Sequence, residues 1–271
     1  MNLSSQKPIA NPSPTDAFRS FALCDTAQKQ AASLGLLVPS KIPDGTFLSI
    51  CGNAYTVTGG VGVCSGGQTT GNLLLLPWFP SSIGSRAFNN CSGFNGSLVL
   101  PNSVTSIGTG AFYGCSGFNG SLVLPNSLTS IGTYAFNNCS GFTGSLVLPN
   151  SLTSIETGAF YNCSGFTGSL VLPNSLTSIG SNAFAYCSGF TGSLTLPSTL
   201  TSVGTYAFQS NPRLPAVYAD MDASNVASTA FASCASLTTI YVSPTAANWG
   251  SLPGTWNGIA TAEWTNYPSI P

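Results

Sequence analysis

Apolar and polar residues alternate along the middle of the chain with a long, fixed rhythm. In SGFNGSLVLPNSLTSIGTYAFNNC, residues 116–139, the apolar positions are Phe118, Leu122, Leu124, Leu128, Ile131, Ala135, Phe136 and Cys139, with Gly, Ser, Thr and Asn between them. The next 24 residues, SGFTGSLVLPNSLTSIETGAFYNC, repeat the order with four differences, and Cys91, Cys115, Cys139, Cys163 and Cys187 mark the same interval. A period of this length is the mark of a solenoid, in which each winding is one supersecondary unit stacked on its neighbours. Within a winding, Leu122-x-Leu124 alternates with period two and predicts a short strand, ended by Pro125, which lacks a ladder donor. Ala135-Phe136-x-x-Cys139 is too short for an independent helix and predicts a helical or 3₁₀ turn. So few apolar side chains cannot offset the ordering of 24 residues, so the windings depend on one another and the stack needs capped ends.

The columns locate those ends. Leu74, Leu76, Pro77, Ile83, Ala87 and Phe88 fit the pattern while Trp78 and Pro80 depart from it, which makes residues 71–90 an atypical first coil. Asn211 takes the cysteine column, Ala230, Phe231 and Cys234 return after 23 residues, and Leu237, Ile240 and Val242 predict a last strand. The expectation is a mainly β solenoid of about seven coils over residues 71–243, between a small α+β region at 1–70 and an aromatic cap at 244–271.

The string LPNSLTSIGTYAFNNC resembles the BspA-type (Treponema-like) leucine-rich repeat, whose pattern runs I-P-x-S-V-T-x-I-G-x-x-A-F-x-x-C with a period near 23. The resemblance covers roughly residues 72–243, and this chain departs from it by one extra residue per coil in S-G-F-x-G-S. It implies a curved solenoid with a parallel sheet on one face. It also implies the setting of such repeats, bacterial, protozoan and viral surface proteins that bind host or matrix molecules, and names no single ligand.

Residues 1–70 lack the repeat and hold four of the six basic residues. Ser13-Pro14-Thr15-Asp16 predicts a helix start and Gly35 its end. Pro43-Asp44-Gly45 marks a turn before TFLSIC, and AYTVTGGVGVC supplies two further strands, which predicts a hairpin or meander. This region either plugs the open end of the solenoid or docks it to a larger assembly. At the other end Trp249, Trp256, Trp264 and Tyr267 predict a seal on the last coil, with a distal binding tip or a subunit contact as alternatives.

Charge narrows the function. Only 5% of the 271 residues are charged, the net charge is −1, and Glu156 is the one charged residue between Ala87 and Pro212. Nucleic acid and anionic membranes attract clustered Lys and Arg, so neither is an expected partner. No apolar run reaches the ~20 residues of a membrane span, and the start shows no signal-peptide pattern. The chain has no histidine, which removes the Ser-His-Asp and Cys-His arrangements and the commonest metal ligand. Asp220 and Asp222, the nearest acidic pair in sequence, are expected to be solvated loop residues. We therefore expect no enzyme activity, no metal and no cofactor. The Gly59-Gly60-Val61-Gly62 run predicts a flexible hairpin in place of a phosphate loop, for want of a following lysine. Triplets such as Asn95-Gly96-Ser97 are by-products of the repeat.

The cysteine column predicts buried free thiols, because stacked side chains point the same way and bridging would strain them. Cys51 and Cys64 are a candidate disulfide across a hairpin, with Cys24 a competing partner. Glu156 stands where other coils have Gly84, Gly108, Gly132, Gly180 and Gly204, so that column should not need a left-handed backbone. Variation concentrates around Ala-Phe, where Tyr113, Tyr134, Tyr161, Tyr186 and Tyr206 appear among Gly, Asn and Ser. Such a composition suits recognition of a protein or glycan on a cell surface, and rim covering is the plainer alternative. The sequence as a whole predicts a non-enzymatic surface-display protein. The expected setting is a phage virion appendage or decoration, with a bacterial adhesin and a self-assembling homo-oligomeric subunit as rivals. Repeated Thr105-Ser106 and Thr129-Ser130 columns also raise ice binding.

Overall fold

The computed structural model describes residues 81–264, together with the backbone of the strands that precede them. Three of these, β1 (Phe47–Ile50), β2 (Asn53–Thr58) and β3 (Val61–Cys64), form an antiparallel meander in that order. β2 therefore lies between the strand that precedes Cys51 and the strand that carries Cys64. The expected meander is present; the expected helix after Ser13, and Cys51 itself, lie outside the described residues. β4 (Gly71–Asn72) pairs in parallel with β6 (Phe94–Asn95) at the start of the stack.

From residue 81 onward the chain is a solenoid, and each winding contributes two short parallel strands. One row is made of Ser-Ile steps: β5 (Ser82–Ile83), β8 (Ser106–Ile107), β10 (Ser130–Ile131), β11 (Ser154–Ile155), β12 (Ser178–Ile179) and β14 (Ser202–Val203), joined in one six-stranded sheet. Ile, or Val at β14, points into the core and Ser outward at each step. The second row is the Leu-x-Leu row. It runs through β7 (Leu98–Val99) and β9 (Leu122–Val123), then the Val147↔Val171 bridge. It continues through β13 (Leu194–Leu196), β15 (Ala216–Ala219), β16 (Thr239–Val242) and β18 (Ile259–Glu263). Pairing keeps the 24-residue register, as in Ser130↔Ser154 and Leu98↔Leu122.

Three expectations are corrected here. Parallel strands occupy two faces of the winding, because the Ser-Ile step, too short to show a period, also pairs with its neighbours. The strand at Leu237–Val242 is not the last: β18 adds to β16 in parallel, and β17 (Gly254–Trp256) folds back on β18 antiparallel. The predicted helical turn at Ala-Phe-x-x-Cys is absent. Two residues in that segment have left-handed backbones, the residue before Ala (Gly110, φ +60°; Tyr134, +54°; Asn182, +58°) and the second after Phe (Gly114, +70°; Asn138, +60°; Asn162, +54°). A helix needs φ near −63° throughout, so a reversal every few residues breaks it. The segment is a run of tight turns, with Asn137 N–H donating to Tyr134 O at 3.2 Å and Cys139 N–H to Phe136 O at 3.1 Å. It also bonds coil to coil, with Phe112 N–H donating to Ala135 O at 2.7 Å and Gly110 N–H to Thr133 O at 2.8 Å.

The interior is built of columns. Phe88, Phe112, Phe136, Phe160, Phe184, Phe208 and Phe231 stack with centroids 5.0–5.5 Å apart. Phe94, Phe118, Phe142, Phe166 and Phe190 form a second stack, which meets the first edge-to-face at Phe136–Phe142. These rings and the Leu and Ile columns are almost wholly buried, so each coil supplies apolar surface to two neighbours at once. At the far end Trp249 is buried, with its indole N–H donating to Met221 O at 2.8 Å, and Trp264 packs on Tyr218.

The glycine column that admits Glu156 has an ordinary negative φ, as expected, yet it is crowded. A Cβ on Gly180 would lie 2.5 Å from the backbone nitrogen of Thr157. Close approach of successive coils, rather than a special torsion, selects glycine there. Glu156 is exposed and keeps the column's bond, its N–H donating to Ile131 O at 2.9 Å.

Candidate functional site

The five tyrosines singled out by the sequence fall one to a coil in five successive coils, 92–115, 116–139, 140–163, 164–187 and 188–211. All five lie on the Ala-Phe turn segment, so they follow one edge of the solenoid. With parallel strands about 4.8 Å apart, the row extends over four rises, about 19 Å. Tyr134, Tyr186 and Tyr206 are 42%, 40% and 40% exposed, while Tyr113 and Tyr161 are half-buried. The structure brings Tyr161 and Tyr186 together, with rings 5.2 Å apart at 60°. The Tyr134 ring fills the space that a side chain on Gly158 of the next coil would take.

Tyr134, Tyr186 and Tyr206 also have φ of +54°, +60° and +58°. They occupy the two left-handed columns whose other members include Gly110, Gly114, Asn138 and Asn162. Gly and Asn populate that region readily, whereas a bulky aromatic there is uncommon and strained. Mixing of Tyr with Gly and Asn, read from the sequence as a binding-loop composition, thus has a backbone cause that explains the Gly and Asn; the tyrosines share these left-handed positions with Arg86, Ser210 and Ser233 and are the aromatic members among them.

Polar groups flank the row. Asn162 donates from its side-chain amide to Asn138 Oδ1 at 2.9 Å, and the hydroxyls of Ser181 and Thr205 are 3.0 Å apart. A different exposed feature, missed from the sequence, is a line of valines on the outer side of the Leu-x-Leu row. Val99, Val123, Val147 and Val171 are 45–69% exposed. Period-two alternation was the available signal, since the residue between two core leucines must face outward. On the Ser-Ile face the exposed threonines are committed internally: Thr129 Oγ1 donates to Thr105 O and Thr153 Oγ1 to Thr129 O, each at 3.0 Å.

The cysteine column holds buried, hydrogen-bonded thiols. Cys115, Cys139, Cys163, Cys187 and Cys234 are free, and each Sγ donates to the carbonyl of a phenylalanine in the preceding coil at 2.9–3.1 Å. Burial pushes the Cys115 and Cys187 thiols up to about 12, and those of Cys139 and Cys163 well above the usual range. Thiols this reluctant to ionise are poor nucleophiles. Cys91 corrects the expectation of an all-thiol column: it is in a disulfide whose partner lies outside the described residues. Where Asn211 replaces cysteine, its amide donates to Phe184 O at 2.9 Å and Phe208 O at 2.8 Å, so the column's requirement is for a donor.

Among the described residues no three His, Cys, Asp or Glu side chains gather as metal ligands. Asp222 caps the short turn at Ala223–Asn225, and hydrogen bonds from the Asn248 side chain and then Ser224 N–H hold its carboxyl below the usual range. An open pocket of about 260 Å³ beside Phe231, Cys234 and Asn257 contains none of the five tyrosines.

Stacked parallel windings around leucine and phenylalanine columns define a leucine-rich-repeat solenoid. The BspA type Leucine rich repeat region matches residues 81–168 and 166–252 in six copies, and the chain belongs to that family. Among solved structures it is similar to a T. pallidum leucine rich repeat protein, at 24% identity and TM-score 0.50 over 75% of this chain and 86% of that one. It is also similar to a leucine rich cell surface protein of Faecalibacterium prausnitzii A2-165, at 19% identity and TM-score 0.50 over 83% and 78%. At these identities the likeness shows the fold. No curated protein matches the chain.

Proposed function

We propose that this chain is a surface-displayed recognition protein that binds without transforming its partner, with the tyrosine edge as its contact. The observation that carries this reading is the placement of Tyr134, Tyr186 and Tyr206 in left-handed positions with their rings exposed. Backbone strain of this kind is held in place by the surrounding structure and clusters at binding sites. The oxidised Cys91 supports display in an oxidising setting. The described residues contain no helix long and apolar enough to cross a membrane. Residues 1–70, which lack the repeat, are the proposed attachment to a larger assembly.

A phage virion appendage or decoration is the finer setting we propose. A bacterial cell-surface adhesin is the second reading, favoured by the cell surface protein of F. prausnitzii with the same fold. Mass spectrometry of purified virions and of washed cell envelopes separates the two. The function itself is tested by binding of labelled protein to a panel of bacterial and animal cells. The triple variant Tyr134→Asn/Tyr186→Asn/Tyr206→Asn is expected to keep its fold and lose binding; undiminished binding would overturn the assignment of the tyrosine edge.

A further inference from the structure

The tyrosine edge carries one ring to a coil, little charge and an open face, and each property restricts what it can hold. Five consecutive coils, stacked about 4.8 Å apart, carry one tyrosine each on the Ala-Phe segment, staggered over three neighbouring positions: before Ala at Tyr134 and Tyr206, after Phe at Tyr113 and Tyr161, and one further on at Tyr186. A folded protein partner offers no reason for an aromatic in every winding, whereas a polymer of identical rings does. Along the five tyrosine-bearing coils the only charge is that of Glu156, and Arg86, exposed in the same left-handed column one coil earlier, is a single cation at the end of the row, so neither an acidic nor a basic polymer meets a run of opposite charge. The flanking groups are amides and hydroxyls: Asn138, Asn162, Asn182, Ser181 and Thr205. Amides and hydroxyls both donate and accept, which suits sugar hydroxyls, and aromatic faces suit the apolar C–H faces of a pyranose. Tyr134, Tyr186 and Tyr206 are 40–42% exposed, so the site is an open edge that a chain can lie along.

From this we infer that the edge formed by Tyr113, Tyr134, Tyr161, Tyr186 and Tyr206 binds a neutral linear polysaccharide laid along the solenoid axis, about one sugar ring to a coil. The inference rests on the recognition reading above and adds the ligand class and its direction.

Isothermal titration of the full chain with manno-, cello- and malto-oligosaccharides of two to eight units, with oligogalacturonate as the acidic control, tests it. The expected result is that one neutral series binds, that affinity climbs with length and levels near five units, and that added salt leaves it unchanged. Tyr134→Asn, Tyr186→Asn and Tyr206→Asn should each lower affinity about tenfold, the loss typical of one anchoring aromatic, with no fall in melting temperature. A structural rim role predicts the reverse: a lower melting temperature and unaltered affinity. Silence of all three neutral series overturns the inference, as does a disaccharide that binds as tightly as a pentasaccharide. The cell-binding assay separates this failure from that of the recognition reading. Binding that survives periodate oxidation of the cells but not protease treatment identifies a protein partner, so recognition stands and the polysaccharide falls. Absence of any cell binding removes the recognition reading itself.

Discussion

Replacing Asn211 by Asp changes almost no volume and reverses the hydrogen-bonding sense of a buried position. Asn211 is 3% exposed and donates to two carbonyls, those of Phe184 and Phe208. The Phe208 carbonyl also receives the Cys234 thiol at 3.1 Å; the Phe184 carbonyl depends on Asn211. An ionised carboxylate would face both carbonyls with no proton to give, so the side chain must take one up. Holding an Asp of ordinary pKa ~3.9 protonated at pH 7 costs about 4 kcal/mol, and the single O–H then serves one carbonyl, losing about 1 kcal/mol more. The expected destabilisation at pH 7 is therefore about 3–5 kcal/mol, read as a lower urea midpoint by tryptophan fluorescence and circular dichroism together. Because the folded-state pKa of this Asp is raised, its stability deficit is smallest below the unfolded value and grows as pH rises. At pH 4 the gap to the parent should shrink to about 1–2 kcal/mol. Asn211→Cys, which restores the usual donor and removes an Oδ1 that has no partner, should cost less than about 1 kcal/mol. A penalty for Asn211→Asp under ~1 kcal/mol at pH 7, or one that does not narrow in acid, would refute the view of this column as a donor ladder.

Alkali should weaken the stack through the same column. The buried thiols have folded pKa values raised above the unfolded one, so their contribution is intact below about pH 9 and is lost as pH rises toward the value of about 12 reached by Cys115 and Cys187. Alkylation by iodoacetamide at pH 8 should leave Cys115, Cys139, Cys163, Cys187 and Cys234 unmodified until urea opens the fold, as mass spectrometry would show; rapid labelling of native protein would contradict their burial. Gly180→Ala should cost about 1–3 kcal/mol by forcing its coil off the Thr157 backbone. Gly144→Ala, with φ +76° but open space around it, should cost only about 1–2 kcal/mol of torsional strain. Thermal melts of the two variants test whether crowding or torsion selects each glycine.

Sequence period, core columns and the Leu-x-Leu strand were legible because each is written in apolar residues that recur 24 positions apart. The Ser-Ile strand was not, since two residues carry no period, and neither was β18, whose Ile259-Ala-Thr-Ala-Glu263 lacks a large apolar pair. At the Ala-Phe segment local spacing favoured a helical turn, but torsion overruled it. The Gly, Asn and Ser at its variable positions were the available clue, and they record a backbone demand. Tyr113, Tyr134, Tyr161, Tyr186 and Tyr206 were visible as variation; that three of them defy their columns' torsion could be seen only with coordinates. The thiol donors to the phenylalanine carbonyls were hidden for a similar reason, as the partners stand 27 residues apart in all but the last case.

Register pairing of like with like in the central coils means that the seams between those windings are chemically interchangeable. Excising residues 140–163 would join Cys139 to Ser164, re-creating the Cys-Ser junction already present at Cys163-Ser164, and would shorten the rod by one rise without exposing a new edge. Gene segments encoding such copies can be lost or duplicated by unequal exchange with the reading frame intact. Length, and with it the count of aromatic rings on display, is thus a trait this architecture can adjust in whole steps while its two ends stay the same.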